Sequence, residues 1–218
     1  MSTQRDIFLS SEGDAWFNRN KDHVSAPPDT ATDPVLRALS DLAIAGETVV
    51  EIGCSTGYRL AGMREGQFRR RIGVDPSQEA IASGKRQFPG IELHVGTSES
   101  LQFESGTIDV LIFGFCLYLC SPQDLFRTAA EADRVVKDDG VILIYDFCTK
   151  NAYANPYSHR PGVKSHKMFF PAMFLWHPHY TLVSHRLFDH QKQNALPRNE
   201  DAAVAVSVMR KSAGDKPA

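Results

Sequence analysis

A chain of 218 residues can fill one hydrophobic core and is short for two domains. Its apolar content of 42%, charged content of 23% and formal net charge of −2 form an ordinary globular balance, without the basic excess that a phosphate-tracking surface needs. A nucleic-acid partner is therefore not expected, and the short basic run Arg69-Arg70-Arg71 reads as a solvated loop. The cysteines Cys54, Cys116, Cys120 and Cys148 form no C-x-x-C pair, so reduced thiols and a cytoplasmic setting are expected. Arg5, Asp6, Glu12 and Asp14 interrupt the first thirty residues, which gives no sign of a secretory leader. The longest apolar run, 110–120, is too short to cross a bilayer.

Residues 1–30 form a front extension that Trp16 and Phe17 can anchor as a lid, with Pro27-Pro28 separating it from the main domain at 31–210. Asp33-Pro34 predicts a helix start, Asp as N-cap and Pro in the first turn, with Val35, Leu36, Leu39 and Leu42 on one face and Gly46 at its end. Strands are expected at 48–52, 71–74, 91–95, 108–113 and 141–147, and helices from 59, at 77–88 and at 123–136. Asp138-Asp139-Gly140 marks the break before the strand at 141. Strands apolar on both faces with helices between them imply an α/β fold, a mostly parallel sheet covered on each side. A stretch rich in Tyr, His and Pro at 148–179 reads as a substrate-covering insert, with Trp176 and Met168-Phe169-Phe170 filling core or lid. Two more strands, 181–188 and 202–209, bring the sheet to seven, and 211–218 reads as a disordered tail.

Glu51-Ile52-Gly53-Cys54-Ser55-Thr56-Gly57 puts a glycine turn directly after the first strand, where a ligand can approach backbone N–H groups. A dinucleotide fingerprint begun at Gly53 needs glycines where Ser55 and Tyr58 stand, which argues against a nicotinamide-dependent oxidoreductase. A plain strand-to-helix turn remains the structural alternative. Ile72-Gly73-Val74-Asp75 ends a second strand in a carboxylate suited to ribose hydroxyls, with Pro76 behind it.

The acidic residue followed by Gly-x-x-x-Gly resembles the first motif of the class I S-adenosylmethionine-dependent methyltransferases. Other segments resemble that family in the same order: Asp75, then Gly96-Thr97-Ser98-Glu99, then Phe113-Gly114-Phe115, then Arg134-Val135-Val136-Lys137-Asp138-Asp139-Gly140. Together they cover about 33–147. The resemblance implies a Rossmann-like methyltransferase fold, S-adenosylmethionine as cofactor, and a cofactor site made by Glu51, Gly53, Cys54, Ser55, Gly57, Asp75, Pro76, Thr97, Ser98, Phe113, Gly114 and Phe115. Where family members have an Asp for the adenine amino group this chain has Thr97, with Ser98 or Glu99 as substitutes.

The expected acceptor is a small molecule methylated on oxygen or nitrogen. The fourth strand ends in Phe113-Gly114-Phe115-Cys116, which lacks the amide-methylating signature. Gly13-Asp14-Ala15-Trp16-Phe17-Asn18-Arg19-Asn20 resembles a segment of methylases of nonulosonic-acid sugar and surface-glycan pathways, which implies a sugar or related metabolite. Tyr157, His159 and His166 are the expected catalytic groups, and Trp16, Arg19, Tyr118, Tyr153 and Lys167 the expected substrate contacts. The histidines between 159 and 190 lack metal-ligand spacing, so no metal is expected. A cofactor-binding scaffold without turnover is the alternative from another class.

Overall fold

The computed structural model describes residues 3–213. Asp33 caps the helix α3 (Pro34–Asp41), its Oδ1 accepting from the N–H groups of Val35 and Leu36 at 2.9 Å. Before it come α1 (Gln4–Ile7) and α2 (Gly13–Asn20), joined by a π-helical turn at Phe8–Glu12, and a 3-10 turn at Lys21–Val24. The helix beginning at Asp33 ends at Asp41, five residues short of Gly46, which opens the first strand instead.

The sheet strands are β1 (Gly46–Ile52), β2 (Phe68–Asp75), β3 (Glu92–Val95), β4 (Ile108–Gly114) and β5 (Val136–Phe147). The helices between them are α4 (Tyr58–Ala61), α5 (Gln78–Gln87) and α6 (Pro122–Val135). The remaining elements are the hairpin strands β6 (Tyr153–Pro156) and β7 (Lys164–Lys167), the short helix α7 (Ala172–Leu175), and the strands β8 (Tyr180–Asp189) and β9 (Ala203–Lys211). The main sheet has seven strands in the order β3-β2-β1-β4-β5-β9-β8. Strands β1 to β5 pair in parallel, whereas β9 is antiparallel to both β5 and β8. Two reversals restore direction, so β8 runs parallel to β5 and its carboxyl end reaches the same sheet edge.

Alternation along each strand divides the core into two layers. Val50, Leu111, Phe113, Ile142 and Ile144 face α6 and α7, while Val49, Val110, Ile112 and Leu143 face α3 and α4. Five expectations are corrected here. The run Arg69-Arg70-Arg71 is strand and not loop, with Arg70 bridging to Glu92 at 3.0 Å on the neighbouring strand and Arg69 to Glu47 at 3.3 Å. The helix from 59 is one turn, closed at Gly62. Asp138-Asp139-Gly140 lies inside β5, where Asp139 takes a left-handed φ of 62° and the pairing with β4 shifts register. Residues 211–213 do not begin a loose tail: the Lys211 ammonium donates to the carbonyl oxygens of Asp133 at 2.7 Å and Val136 at 3.1 Å, and residues 214–218 lie outside the described ones. Phe170 fills the core as expected, but Trp176 is 74% exposed. Among the described residues no helix is long and apolar enough to cross a membrane.

Candidate active site

A cavity of about 690 Å³ opens at the edge where the carboxyl ends of β1, β2, β4, β5 and β8 meet. Gly53, Ser55, Asp75, Pro76, Gly96, Thr97, Ser98, Glu99, Gly114 and Phe115 line it, joined by Asp33, Arg59, Tyr145 and His190. Open parallel sheets bind ligands at this edge, because the strand order reverses there and leaves a crevice.

The glycine turn is built differently from the sequence expectation. The N–H groups of Gly53 and Cys54 both donate to the Val74 carbonyl, at 2.8 and 3.3 Å, and the Ser55 N–H donates to Asp75 Oδ2 at 2.8 Å. These groups fasten β1 to β2 and are not open to a ligand. Gly53 has φ +76°, and a side chain there would meet the Cys116 Cβ at 2.6 Å, so the glycine also lets the loop after β4 close in. Cys54 is fully buried beneath the turn, and Gly57, φ +77°, packs close to Leu93; neither lines the cavity. Ser55 remains the part of the turn facing it, held at φ 51°, and its buried Oγ has no partner among the described residues.

Asp75 accepts at both oxygens, Oδ2 from Ser55 and Oδ1 from the Ser77 N–H at 2.9 Å, which orients the carboxylate and leaves further lone pairs toward the cavity. Burial pushes its pKa up to about 6, against the pull of those two N–H donors. Next along the edge, Thr97 donates to Glu99 Oε1 at 2.6 Å and Arg5 approaches the same oxygen at 3.5 Å, leaving Oε2 without a partner among the described residues. Ser98 turns to α6, where its Oγ pairs with the Thr128 hydroxyl at 2.9 Å. Glu99 is thus the free acceptor in this segment.

Glu51 lies fully buried under the edge. The Arg59 guanidinium pairs with Glu51 and, through Nε at 2.9 Å, with Asp33 of the α3 cap. Burial dominates and lifts the Glu51 pKa to about 7, although Arg59 opposes it, and Oε2 has no partner among the described residues. Gly114 crosses directly over this group: a Cβ there would press on Glu51 Oε1 and come within 3.0 Å of Arg59. Gly114→Ala is accordingly expected to destabilise the fold by about 1–3 kcal/mol, as overpacking does, and a urea titration reads the change.

Several expected site residues are placed elsewhere. Phe113 shows its side chain to the core and packs against Phe174 at 6.5 Å, because strand alternation turns it away from the face bearing Glu51. Tyr118 is buried behind Phe115, edge-on at 5.3 Å. Tyr157, His159 and His166 do not line the cavity. Residues 153–167 fold back as an antiparallel ribbon, and none of them lines the cavity. His159 is exposed at its turn, and His166 sits in β7 opposite Ala154. Tyr153 and Lys167 both converge on Asp201 Oδ1 at 2.8 Å, a structural tie between the ribbon and the turn that leads into β9. Trp16 does line the cavity, while Arg19 pairs with Glu12 at 2.5 Å and with the Tyr157 hydroxyl at 3.2 Å. Reading the sequence alone missed Asp33, Arg59, Tyr145 and His190. For His190 the only available signal was topological: it follows β8, whose direction depends on a distant pairing with β9.

Comparison with known proteins agrees with this geometry. A family model described as a methyltransferase domain matches residues 49–140, which spans the glycine turn, Asp75, Glu99 and the Phe115 loop. The fold is that of the S-adenosylmethionine-dependent methyltransferases. A relative, the ubiquinone/menaquinone biosynthesis C-methyltransferase of Campylobacter jejuni, is 23% identical over 105 residues, 45% of this chain and 44% of that one. The chain therefore matches under half the length of that curated relative. Among solved structures, a 1,6-didemethyltoxoflavin N1-methyltransferase of Burkholderia thailandensis superposes with a TM-score of 0.70 at 16% identity, covering 97% of this chain and 91% of that one. An S-adenosylmethionine-dependent methyltransferase of Methanosarcina mazei gives a TM-score of 0.64 at 14% identity, covering 85% and 99%. S-adenosylmethionine is the cofactor that a methyltransferase domain implies, and the residues fit it. The orphaned Ser55 Oγ, the oriented Asp75 carboxylate and the free Glu99 oxygen offer polar partners along one continuous cavity.

Proposed function

We propose that this protein is an S-adenosylmethionine-dependent methyltransferase that alkylates an oxygen or nitrogen of a small molecule seated at the Phe115–Tyr145–His190 end of the cavity. The observation that carries the reading is one cavity running from Asp75 and Glu99 to His190, so cofactor and acceptor can lie end to end. The cofactor, when bound, supplies an electrophilic methyl group. Asp75 accepts from ribose hydroxyls, Glu99 Oε2 accepts from an adenine amino group, and Ser55 Oγ meets a polar group of the amino-acid portion. Alignment of the nucleophile then provides much of the acceleration, as in any in-line displacement held by its binding site. The Burkholderia thailandensis neighbour holds S-adenosylhomocysteine together with its acceptor, and that pairing supports the reading. The sugar-linked acceptor implied by Gly13–Asn20 draws no support from that helix, where Asp14 Oδ1 accepts from the Ser77 hydroxyl at 2.7 Å and the Glu79 N–H at 3.0 Å. Calorimetry with S-adenosylhomocysteine tests the first half of the proposal, and its failure to bind overturns it. Labelled methyl transfer across a metabolite panel, with the product resolved by NMR, separates oxygen and nitrogen from carbon acceptors. Cofactor binding with no transfer to any member would favour the scaffold reading.

The front extension acts in this proposal as a lid. Trp16 reaches the cavity, and Arg19 joins α2 to the ribbon through Tyr157. Gln4 bonds the carbonyl oxygens of Leu119 at 2.6 Å and Lys164 at 2.8 Å, and Asp14 and Asn18 bond to α5, so the segment is held to its surroundings largely by side-chain hydrogen bonds. Such segments open locally at low free energy. Hydrogen exchange over residues 7–24 is expected to slow when S-adenosylhomocysteine is added. Equal protection with and without ligand would make the extension packing only.

A further inference from the structure

Phe115 sits at the centre of an aromatic cluster where β4, β5 and β8 end. Its φ of 63° is left-handed, an unfavourable setting for a bulky residue, and its N–H donates to the Tyr145 carbonyl at 2.8 Å to hold it there. The ring lies 5.0 Å from Tyr145 and 5.2 Å from His190, with the imidazole within 8° of parallel. All three line the same cavity as Gly53 and Asp75. The His190 backbone is fixed, its N–H donating to the Ala202 carbonyl at 2.8 Å, yet neither ring nitrogen has a hydrogen-bond partner among the described residues. The charged groups facing it are Lys167, Asp189 and Arg198; burial first, then Lys167, holds its pKa below the ordinary histidine value.

We infer that the acceptor is a planar aromatic or heteroaromatic ring bearing an O–H or N–H, seated beside the aromatic cluster of Phe115 and Tyr145, with His190 as its proton acceptor. The inference rests on the methyl-transfer reading above and names its substrate class. Ring faces select flat π-systems, whereas a saccharide needs a paired partner for each buried hydroxyl. In the step, the acceptor's O–H or N–H bond breaks and the proton goes to the imidazole. The electron pair left on oxygen or nitrogen forms the new bond to the methyl carbon, and the donor sulfur keeps the pair of the bond that breaks.

Calorimetry of the full chain loaded with S-adenosylhomocysteine, titrated with 7-hydroxycoumarin and with methyl α-glucopyranoside, tests the class. The coumarin is expected to bind and the glucoside not. Glucoside binding in place of coumarin, with S-adenosylhomocysteine still held, overturns the acceptor class and leaves the methyltransferase reading intact. Loss of S-adenosylhomocysteine binding itself would instead overturn that reading. His190→Gln is expected to lower kcat for coumarin methylation by roughly 10²-fold, the scale of general-base catalysis. The same variant should leave KM and S-adenosylhomocysteine affinity within about twofold, since a lost base does not remove binding contacts. An unchanged kcat in the variant removes His190 from the chemistry.

Discussion

Replacing Arg59 with methionine is expected to destabilise the fold by about 3–5 kcal/mol, the loss seen when one partner of a buried ionic group is removed. For a chain of this size that corresponds to a fall in Tm of roughly 6–20 °C. Among the described residues Arg59 is the cation paired with both Glu51, which is fully buried, and Asp33, which is buried at the cavity wall. Without the guanidinium, each must protonate or remain charged in an apolar setting. The loss should therefore be larger at pH 8 than at pH 5.5. In the wild-type chain the sign is already set by Glu51, whose pKa is raised from 4.5 to about 7. The folded state binds its proton more tightly than the unfolded state, so this contribution to stability is complete below the ordinary carboxylate range and disappears as pH climbs through about 7. Asp146, lifted by burial to about 7 against several backbone N–H donors, acts in the same direction. Urea titrations at the two pH values check both claims. If the loss arises from uncompensated charge, adding Glu51→Gln and Asp33→Asn to Arg59→Met should restore part of the stability. A triple variant no better than the single one would assign the loss to packing of the guanidinium against Tyr145 and Tyr58.

Asp75→Ala is expected to weaken S-adenosylhomocysteine binding by about 1.5–3 kcal/mol, or roughly 10- to 150-fold, the range for hydrogen bonds to a charged group. The carboxylate is preset by the N–H groups of Ser55 and Ser77, so little ordering is needed when a ligand arrives. Alanine also orphans those two donors, and Asp75→Asn serves as the control, retaining one oxygen and losing the charge. Asparagine should fall between wild type and alanine. The pH dependence has the opposite sense to that of stability. The ionised carboxylate is the better acceptor, so affinity should decline as pH falls below about 6, the value to which burial raises this group. Calorimetry at pH 7.5 and pH 5 reads it, and an affinity independent of pH and of residue 75 would mean that the ribose lies elsewhere.

The α/β class, the order of its elements and the cofactor edge were legible because each rests on local rules. Two-faced apolar strands, the Asp33-Pro34 cap and the glycine turn followed by a carboxylate-ended strand depend on neighbours within a few residues. Asp75 at the end of β2 is legible for the same reason. The acceptor side was not. Tyr157, His159 and His166 were attractive by composition, but none of them lines the cavity, and the ribbon that carries them is tied to Asp201 and Gln4, partners some 30 to 160 residues distant. Phe113 reads as a floor residue until strand alternation assigns its side chain to the far layer. His190 reaches the cavity only because β9 inserts antiparallel between β5 and β8 and returns β8 to the parallel direction. Local sequence determined which segments become strands and where the chain turns, since those choices are made by backbone sterics and burial period. Which distant side chains share the cavity was decided by strand pairing across the sheet, an interaction between segments that no local pattern encodes.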